Sequence, residues 1–336
     1  MFCCAICNAD MSNPRVLCLG EILFDLLADQ KGRSLAQVES WTPYPGGAPA
    51  NVACALPKLG TSSGFIGCVG EDEAGNELIE VLQTAAVDIT GVQRSAAPTR
   101  QIYVERTETG DRIFAGFGDL NTSDFADTQL QAAQIPEKLF TTADFLVLGT
   151  IALAYPHSRQ SVHRALELAE QYNVKVVLDA NWRPVFWQQD LDTVKQIMQA
   201  AFKKIDFLKL SKEEAELLFD TSDPGAITYR LNSVEGVVIT DGDRGCSYCL
   251  SENEGKLPAF SVPVVDTTGA GDSSVAGFVH QLCQLGISSL ADPDIAKQVV
   301  NYASAAGALT TLKPGAIASQ PTASDVEAFL RSPELA

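Results

Sequence analysis

Six short runs, Val16 to Gly20, Gly64 to Val69, Phe145 to Gly149, Val174 to Asp179, Phe207 to Leu210 and Gly236 to Thr240, are apolar at nearly every position rather than at alternate ones. A strand with one face in water alternates apolar and polar residues, so continuous runs of this length read as strands buried on both faces. Between them lie stretches of helical periodicity: Glu73 to Ala86, Ser158 to Tyr172 and Leu191 to Phe202. The C-terminal part adds Ala270 to Leu285, Asp294 to Leu309 and Ser324 to Leu330. Buried strands that alternate with crossover helices predict an α/β protein of three layers, α/β/α, around a mostly parallel central sheet.

Two segments break this rhythm. Ser34 to Tyr44 and Gln101 to Phe117 read as extended, the second with a hairpin turn at Glu108-Thr109-Gly110-Asp111, and neither is followed by a crossover helix. With 46% hydrophobic and 20% charged residues, the 336-residue chain can bury one large core. Its net charge of -18 repels nucleic acid and anionic membrane on average, which leaves small molecules as the expected partners.

The longest apolar stretch, Phe145 to Tyr155, is broken by Gly149 and Thr150 and falls short of the roughly 18 residues of a membrane span. Met1 to Asn8 has neither a basic lead nor a cleavage site, so a cytoplasmic location is expected. Residues 1–13 read as a flexible extension, with Met11 as an alternative start. The nine cysteines include Cys18, Cys54 and Cys68 inside apolar patterns, where a reduced thiol behaves as a small hydrophobe. Cys4 with Cys7 and Cys246 with Cys249 have CxxC spacing. His157, His163 and His280 fall outside both pairs, so a four-ligand zinc site is not expected.

The chemistry concentrates at Asp266 to Val279, Asp-Thr-Thr-Gly-Ala-Gly-Asp-Ser-Ser-Val-Ala-Gly-Phe-Val, a small-residue turn that ends in an acid where a helix begins. The amides of Gly269, Ala270, Gly271 and Asp272 would stand at the positive end of the helix dipole, a ready site for phosphate or developing negative charge. Asp272 could take the proton of an attacking hydroxyl, or could simply cap the helix. Gly46-Gly47-Ala48-Pro49-Ala50-Asn51 is a second glycine turn, where the backbone can approach a ligand and Asn51 offers donors and an acceptor. Gly20 is followed directly by Glu21 and Ile22, with no Gly-x-Gly-x-x-Gly turn, and no Gly-Lys-Ser or Gly-Lys-Thr occurs. A nicotinamide dehydrogenase and a P-loop kinase are thereby excluded.

The stretch Asp266 to Val279 resembles the second signature of the ribokinase, or PfkB, family of carbohydrate kinases. Gly46 to Ala53, with Leu59-Gly60 and Gly64 to Asp72, resembles the first. The resemblance spans about Val16 to Pro321. Gly20-Glu21-Ile22-Leu23-Phe24-Asp25 and Leu178-Asp179-Ala180-Asn181-Trp182-Arg183-Pro184-Val185-Phe186-Trp187 are most like the corresponding segments of fructokinases. The resemblance implies a ribokinase-like fold whose core comprises residues 14–33, 45–98 and 119–336, with a small β lid from residues 34–44 and 99–118 that often carries a homodimer contact.

It further implies an ATP-dependent sugar kinase that uses Mg-ATP, with fructose as the leading substrate. A 2-keto-3-deoxygluconate kinase, a ribokinase and a non-catalytic sugar or nucleotide sensor are the alternatives. By the same resemblance Asp272 is the base beside an anion hole made by Gly269, Ala270 and Gly271. Asp25, Gly46, Gly47, Asn51, Phe117 and Arg183 are expected at the sugar, and Thr240, Gly242 and Asn301 at the nucleotide. Glu214 is expected behind the magnesium, although Ser211 stands where many members have Asn. Asp266 and Thr268 are expected beside a monovalent cation, with potassium as the candidate.

Overall fold

The protein is described from a computed structural model that covers residues 13–109 and 112–332. Residues 1–12 of the expected extension, with Met11, Cys4 and Cys7, lie outside the described residues, as do Gly110 and Asp111 of the hairpin turn. The strands in chain order are β1 (Val16–Leu19), β2 (Leu23–Ala28), β3 (Trp41–Gly46), β4 (Ser63–Gly70), β5 (Asp88–Ser95), β6 (Gln101–Arg106), β7 (Arg112–Gly116), β8 (Phe145–Leu148), β9 (Lys175–Asp179), β10 (Phe207–Ser211), β11 (Gly236–Thr240), β12 (Cys246–Leu250) and β13 (Asn253–Leu257). The helices are α1 (Ala48–Leu59), α2 (Glu73–Thr84), α3 (Pro156–Tyr172), α4 (Leu191–Phe202), α5 (Lys212–Phe219), α6 (Pro224–Leu231), α7 (Ala270–Leu285), α8 (Pro293–Thr310), α9 (Ala316–Ser319) and α10 (Ala323–Arg331).

All six continuous apolar runs enter one nine-stranded sheet of order β13-β12-β11-β10-β9-β8-β1-β4-β5, parallel except for the β12 and β13 edge. Successive residues serve opposite faces, which is why both are apolar. Leu17, Leu19, Leu146, Leu148, Leu208 and Leu210 join a core with Val162 of α3 and Met198 of α4. Val16, Cys18, Val147 and Phe207 join a second core with Leu56 of α1 and Val275 and Val279 of α7. Cys246 and Cys249, three apart on β12, belong on opposite faces of the sheet and cannot share a ligand. Among the described residues no cluster of three or more His, Cys, Asp or Glu could hold a metal, and no helix is long and apolar enough to cross a membrane.

A second sheet, of order β3-β2-β6-β7, gathers the two segments that broke the rhythm. Its central strand β2 is the addition. Leu23–Ala28 falls within the 14–33 segment expected in the core, yet it pairs antiparallel with β3 and parallel with β6. Only Gly20 to Ile22 separate this run from β1, and periodicity alone does not assign the two runs to different sheets. Ser34 to Tyr44 is only partly extended. Ser34 caps a single 3-10 turn at Leu35–Gln37, and the strand begins at Trp41. Pro43 and Pro45 fit within β3 because it is an edge strand.

Arg100, immediately before β6, ties the second sheet to the segment between β7 and β8. It is 1% exposed; its Nε lies 2.8 Å from Asp127, and its terminal nitrogens donate to the hydroxyl (3.2 Å) and carbonyl (2.9 Å) of Thr122. The guanidinium is enclosed by the rings of Phe125, Phe186, Phe117 and Tyr155, at 4.6 to 5.6 Å from their centroids. A buried charge held this way is costly to orphan. Asp127→Ala is expected to cost about 3–5 kcal/mol, read as a fall of several degrees in thermal unfolding, whereas an unchanged midpoint would mean that the guanidinium finds another partner.

Candidate active site

Parallel strands present their carboxyl ends along one edge, and there the chain gathers its charged residues. Asp179 closes β9, and Lys209 lies directly beside it on β10 in the strand register. The Lys209 ammonium stands 3.0 Å from the Asp179 carboxylate, and both side chains are largely buried. Burial works against the Lys209 charge, but Asp179, Glu214 and Asp272 more than offset it and raise its pKa. The two line a cavity of about 380 Å³ that also contains Glu21, Asp25, Asn51, Arg183 and Asp272.

Two helix N-termini close this cavity. Gly47 precedes α1 with φ +104°, and an added Cβ would lie 2.5 Å from the Glu21 carbonyl. Gly269 precedes α7 with φ +78°, and its Cβ would lie 2.7 Å from that of Ala316. Only glycine suits both the backbone conformation and the space. Asn51 in α1 donates from Nδ2 to Asp272 Oδ2 at 2.7 Å, joining helices 221 residues apart. The Gly271 and Asp272 amides occupy the first turn of α7, where a helix offers no internal acceptor. The Ala270 amide, expected in the same anion hole, instead donates to the Thr267 carbonyl at 3.2 Å. The tight turn that puts Gly269 at positive φ brings that carbonyl within reach.

Burial dominates the electrostatics. It pushes the Asp272 pKa up to about 6, with Asp179 adding to the rise and Asn51, Lys209 and Arg183 opposing it. Burial also raises Asp25 to about 6, against the pull of Arg112 and Arg183. Glu21, 3% exposed, is raised to about 8 by burial, with the charges of Asp127 and Asp272 contributing. Its Oε1 accepts from the Ala48 amide at 3.0 Å, which ties the turn after β1 to the start of α1.

The expected residues are not all at the cavity wall. Asp25, Gly47, Asn51, Arg183, Thr268, Gly269, Gly271 and Asp272 line it. Asp25 does so from within β2 of the second sheet, not from a strand end of the central one. Gly46 packs behind Asp25, whose Oδ2 would lie 3.1 Å from an added Cβ. Phe117 is not at the wall: it packs on Phe125, Phe186 and Arg100, and Phe186 is the ring at the cavity. Glu214 caps α5. Its Oε2 accepts from the Ser211 amide at 2.7 Å and its Oε1 from the Trp182 amide at 2.6 Å, which fixes the loop carrying Asn181 and Arg183. Thr240 lines a separate small cavity with Ser274, Ala303 and Ser304, whereas Asn301 on α8 is not among its lining residues. Lys209 borders both cavities. Gly242, at φ +57°, turns the chain just after β11.

Lys209, Asp179, Glu21 and Arg112 are site residues beyond those expected from the sequence. A signal existed for the first two: a lysine inside a buried strand and an acid at the end of one need partners. Nothing in the sequence pointed to Arg112, which reaches Asp266 and Thr268 from the second sheet.

Comparison with known proteins bears on the same segments. The profile of the pfkB family carbohydrate kinases matches residues 13–323. The chain belongs to that family. Among curated relatives of this pfkB-family kinase, probable fructokinase-5 of Arabidopsis thaliana is 32% identical over 325 residues, covering 96% of this chain and 98% of the relative. Among solved structures, a Xylella fastidiosa fructokinase with bound ATP has a TM-score of 0.84 at 26% identity, covering 94% of this chain and 98% of that one. A putative ribokinase II from E. coli in complex with ATP and Mg2+ has a TM-score of 0.82 at 26% identity, covering 95% and 99%. A double mutant of a Vibrio cholerae O395 fructokinase, in fructose, ADP and potassium ion bound form, has a TM-score of 0.81 at 27% identity, covering 95% and 98%.

This pfkB-family kinase is therefore an ATP-dependent carbohydrate kinase with a ribokinase-like fold. Because the Asn51 amide favours the charged form of Asp272, Asn51→Ala is expected to move the acidic limb of the kcat/KM profile to higher pH than in the parent protein. A limb that stays in place would separate Asn51 from the ionisation that governs turnover.

Proposed function

We propose that this kinase transfers the γ-phosphoryl group of ATP to a primary hydroxyl of fructose. The observation that carries the reading is the buried Asp272 carboxylate at the first turn of α7, held by Asn51 in a cavity wide enough for a sugar. Support for fructose comes from the fructokinase relative and from the neighbour with bound fructose. Asp25 orients sugar hydroxyls by accepting hydrogen bonds from them, with Gly47 and Asn51 beside it. Asp272 takes the proton from the attacking hydroxyl, and the Gly271 and Asp272 amides face the charge that develops on the transferred group.

In this reading the nucleotide lies beyond Lys209, toward Thr240, Gly242 and Asn301, with Lys209, which borders both cavities, and Arg183 offsetting phosphate charge. The same wall carries Asp179 and Asp272, oxygen donors of the type that suits a hard divalent cation. Magnesium, bound with ATP, would neutralise phosphate charge. Glu214 serves it indirectly, by setting the loop that carries Arg183. The second sheet, β2 included, acts as a lid over the sugar and offers the homodimer contact through its edge.

Asp272→Asn is expected to lower kcat by about two to four orders of magnitude with little change in fructose affinity. Near-normal turnover would remove the proposed base. A carboxyl whose pKa rises from 3.8 unfolded to about 6 folded loses stability as pH climbs through that window. The same variant should therefore melt no lower than the parent at neutral pH. For the parent, kcat/KM should fall below about pH 6, where Asp272 takes up a proton. The substrate is read from ADP release with Mg-ATP over fructose, 2-keto-3-deoxygluconate, ribose, glucose and adenosine. Preference for another member of that panel would transfer the specificity, and silence with ATP still bound would favour a sensor.

A further inference from the structure

Asp266 and Thr268 stand just before the anion-binding turn, at the place expected to adjoin a monovalent cation. Their side chains are already engaged. Asp266 Oδ1 accepts from the Thr268 amide at 3.0 Å and from its hydroxyl at 2.7 Å. Asp266 Oδ2 accepts from the Gly315 amide at 2.9 Å and from Nη2 of Arg112 at 2.8 Å. Nη1 of Arg112 donates to the Thr268 hydroxyl at 2.8 Å. Arg112 thus grips both residues with the two arms of its fork, a geometry that lysine lacks.

A carboxylate with four donors on its two oxygens has no lone pair directed at a further ion. A potassium ion at the same carboxylate would also stand against a fixed guanidinium charge. The side-chain arrangement therefore does not fit a monovalent cation while Arg112 is in place. The arginine comes from β7, in the second sheet and 154 residues before Asp266. Its charge also opposes the burial-driven rise of the Asp25 pKa, so one side chain acts on the sugar side and the anion turn together.

We propose that Arg112 is the resident cation of the anion turn: it takes at Asp266 the position of a monovalent ion, and the lid delivers it. This rests on the kinase reading above. The charge balance of the turn is then complete only when the second sheet is seated over the cavity. Lid closure and readiness for phosphoryl transfer become one event, with no free ion required.

The test compares the full chain with Arg112→Gln in potassium chloride and in tetramethylammonium chloride at equal ionic strength. Arg112 is about a third exposed on an edge strand, so the variant should fold. Thermal unfolding reads cation binding without reference to turnover. The parent is expected to show no potassium-specific shift, and Arg112→Gln a rise of about 3 °C or more at saturating potassium. ADP release should change by less than about twofold with potassium in the parent. In Arg112→Gln it should fall by about tenfold or more without potassium and recover with it. Strong potassium activation of the parent, or a variant that ignores potassium in both measurements, would overturn the proposal. If neither protein releases ADP with any sugar, the kinase reading has failed, and the unfolding data still decide the identity of the cation.

Discussion

The site depends on holding two helix N-termini face to face around one buried carboxylate. Asp272 is expensive to ionise where it lies, as its raised pKa records, and the Asn51 amide is the contact that most favours its charged form. To make that contact α1 and α7 must both start at the carboxyl edge of the central sheet, and each begins after a glycine at positive φ. Replacing either glycine would move a helix start, and with it the distance between Asn51 and Asp272.

Around this bond the cavity carries more acid than base: Glu21, Asp25, Asp179 and Asp272 against Lys209 and Arg183. Such a set is unstable in isolation and suits a polyhydroxyl substrate beside a nucleotide that arrives with a divalent cation. The carboxyls raised by burial weaken the folded state as pH climbs toward neutral. Lys209 and Asp179 limit that cost by satisfying each other through the register of adjacent strands.

Two arginines tie the second sheet to the rest of the chain by opposite means. Arg100 is sealed among aromatic rings with Asp127 and forms a permanent joint. Arg112 is about a third exposed and reaches Asp266 from the second sheet, a contact of the kind that solvent can replace. In the proposed lid, Arg100 would be the fixed side and Arg112 the reversible one.

Much of this was legible from residues close together in the chain. Runs apolar at nearly every position declared strands covered on both faces, and all six entered the parallel sheet. Helical periodicity placed α2, α3, α4, α7, α8 and α10 to within a few residues. The glycine turns before Asn51 and Asp272 were visible because positive φ and close approach require particular residue types. These are short-range properties, set by backbone sterics and side-chain period. The tertiary structure alone decided which sheet Leu23–Ala28 would join, that the Ala270 amide would turn back to Thr267, that Phe117 would pack on Arg100 rather than at the cavity, and that Arg112 would find Asp266. Each depends on which distant segments pair, and the same local sequence satisfies its hydrogen bonds and buries its apolar side equally well with several partners until the whole chain has chosen one.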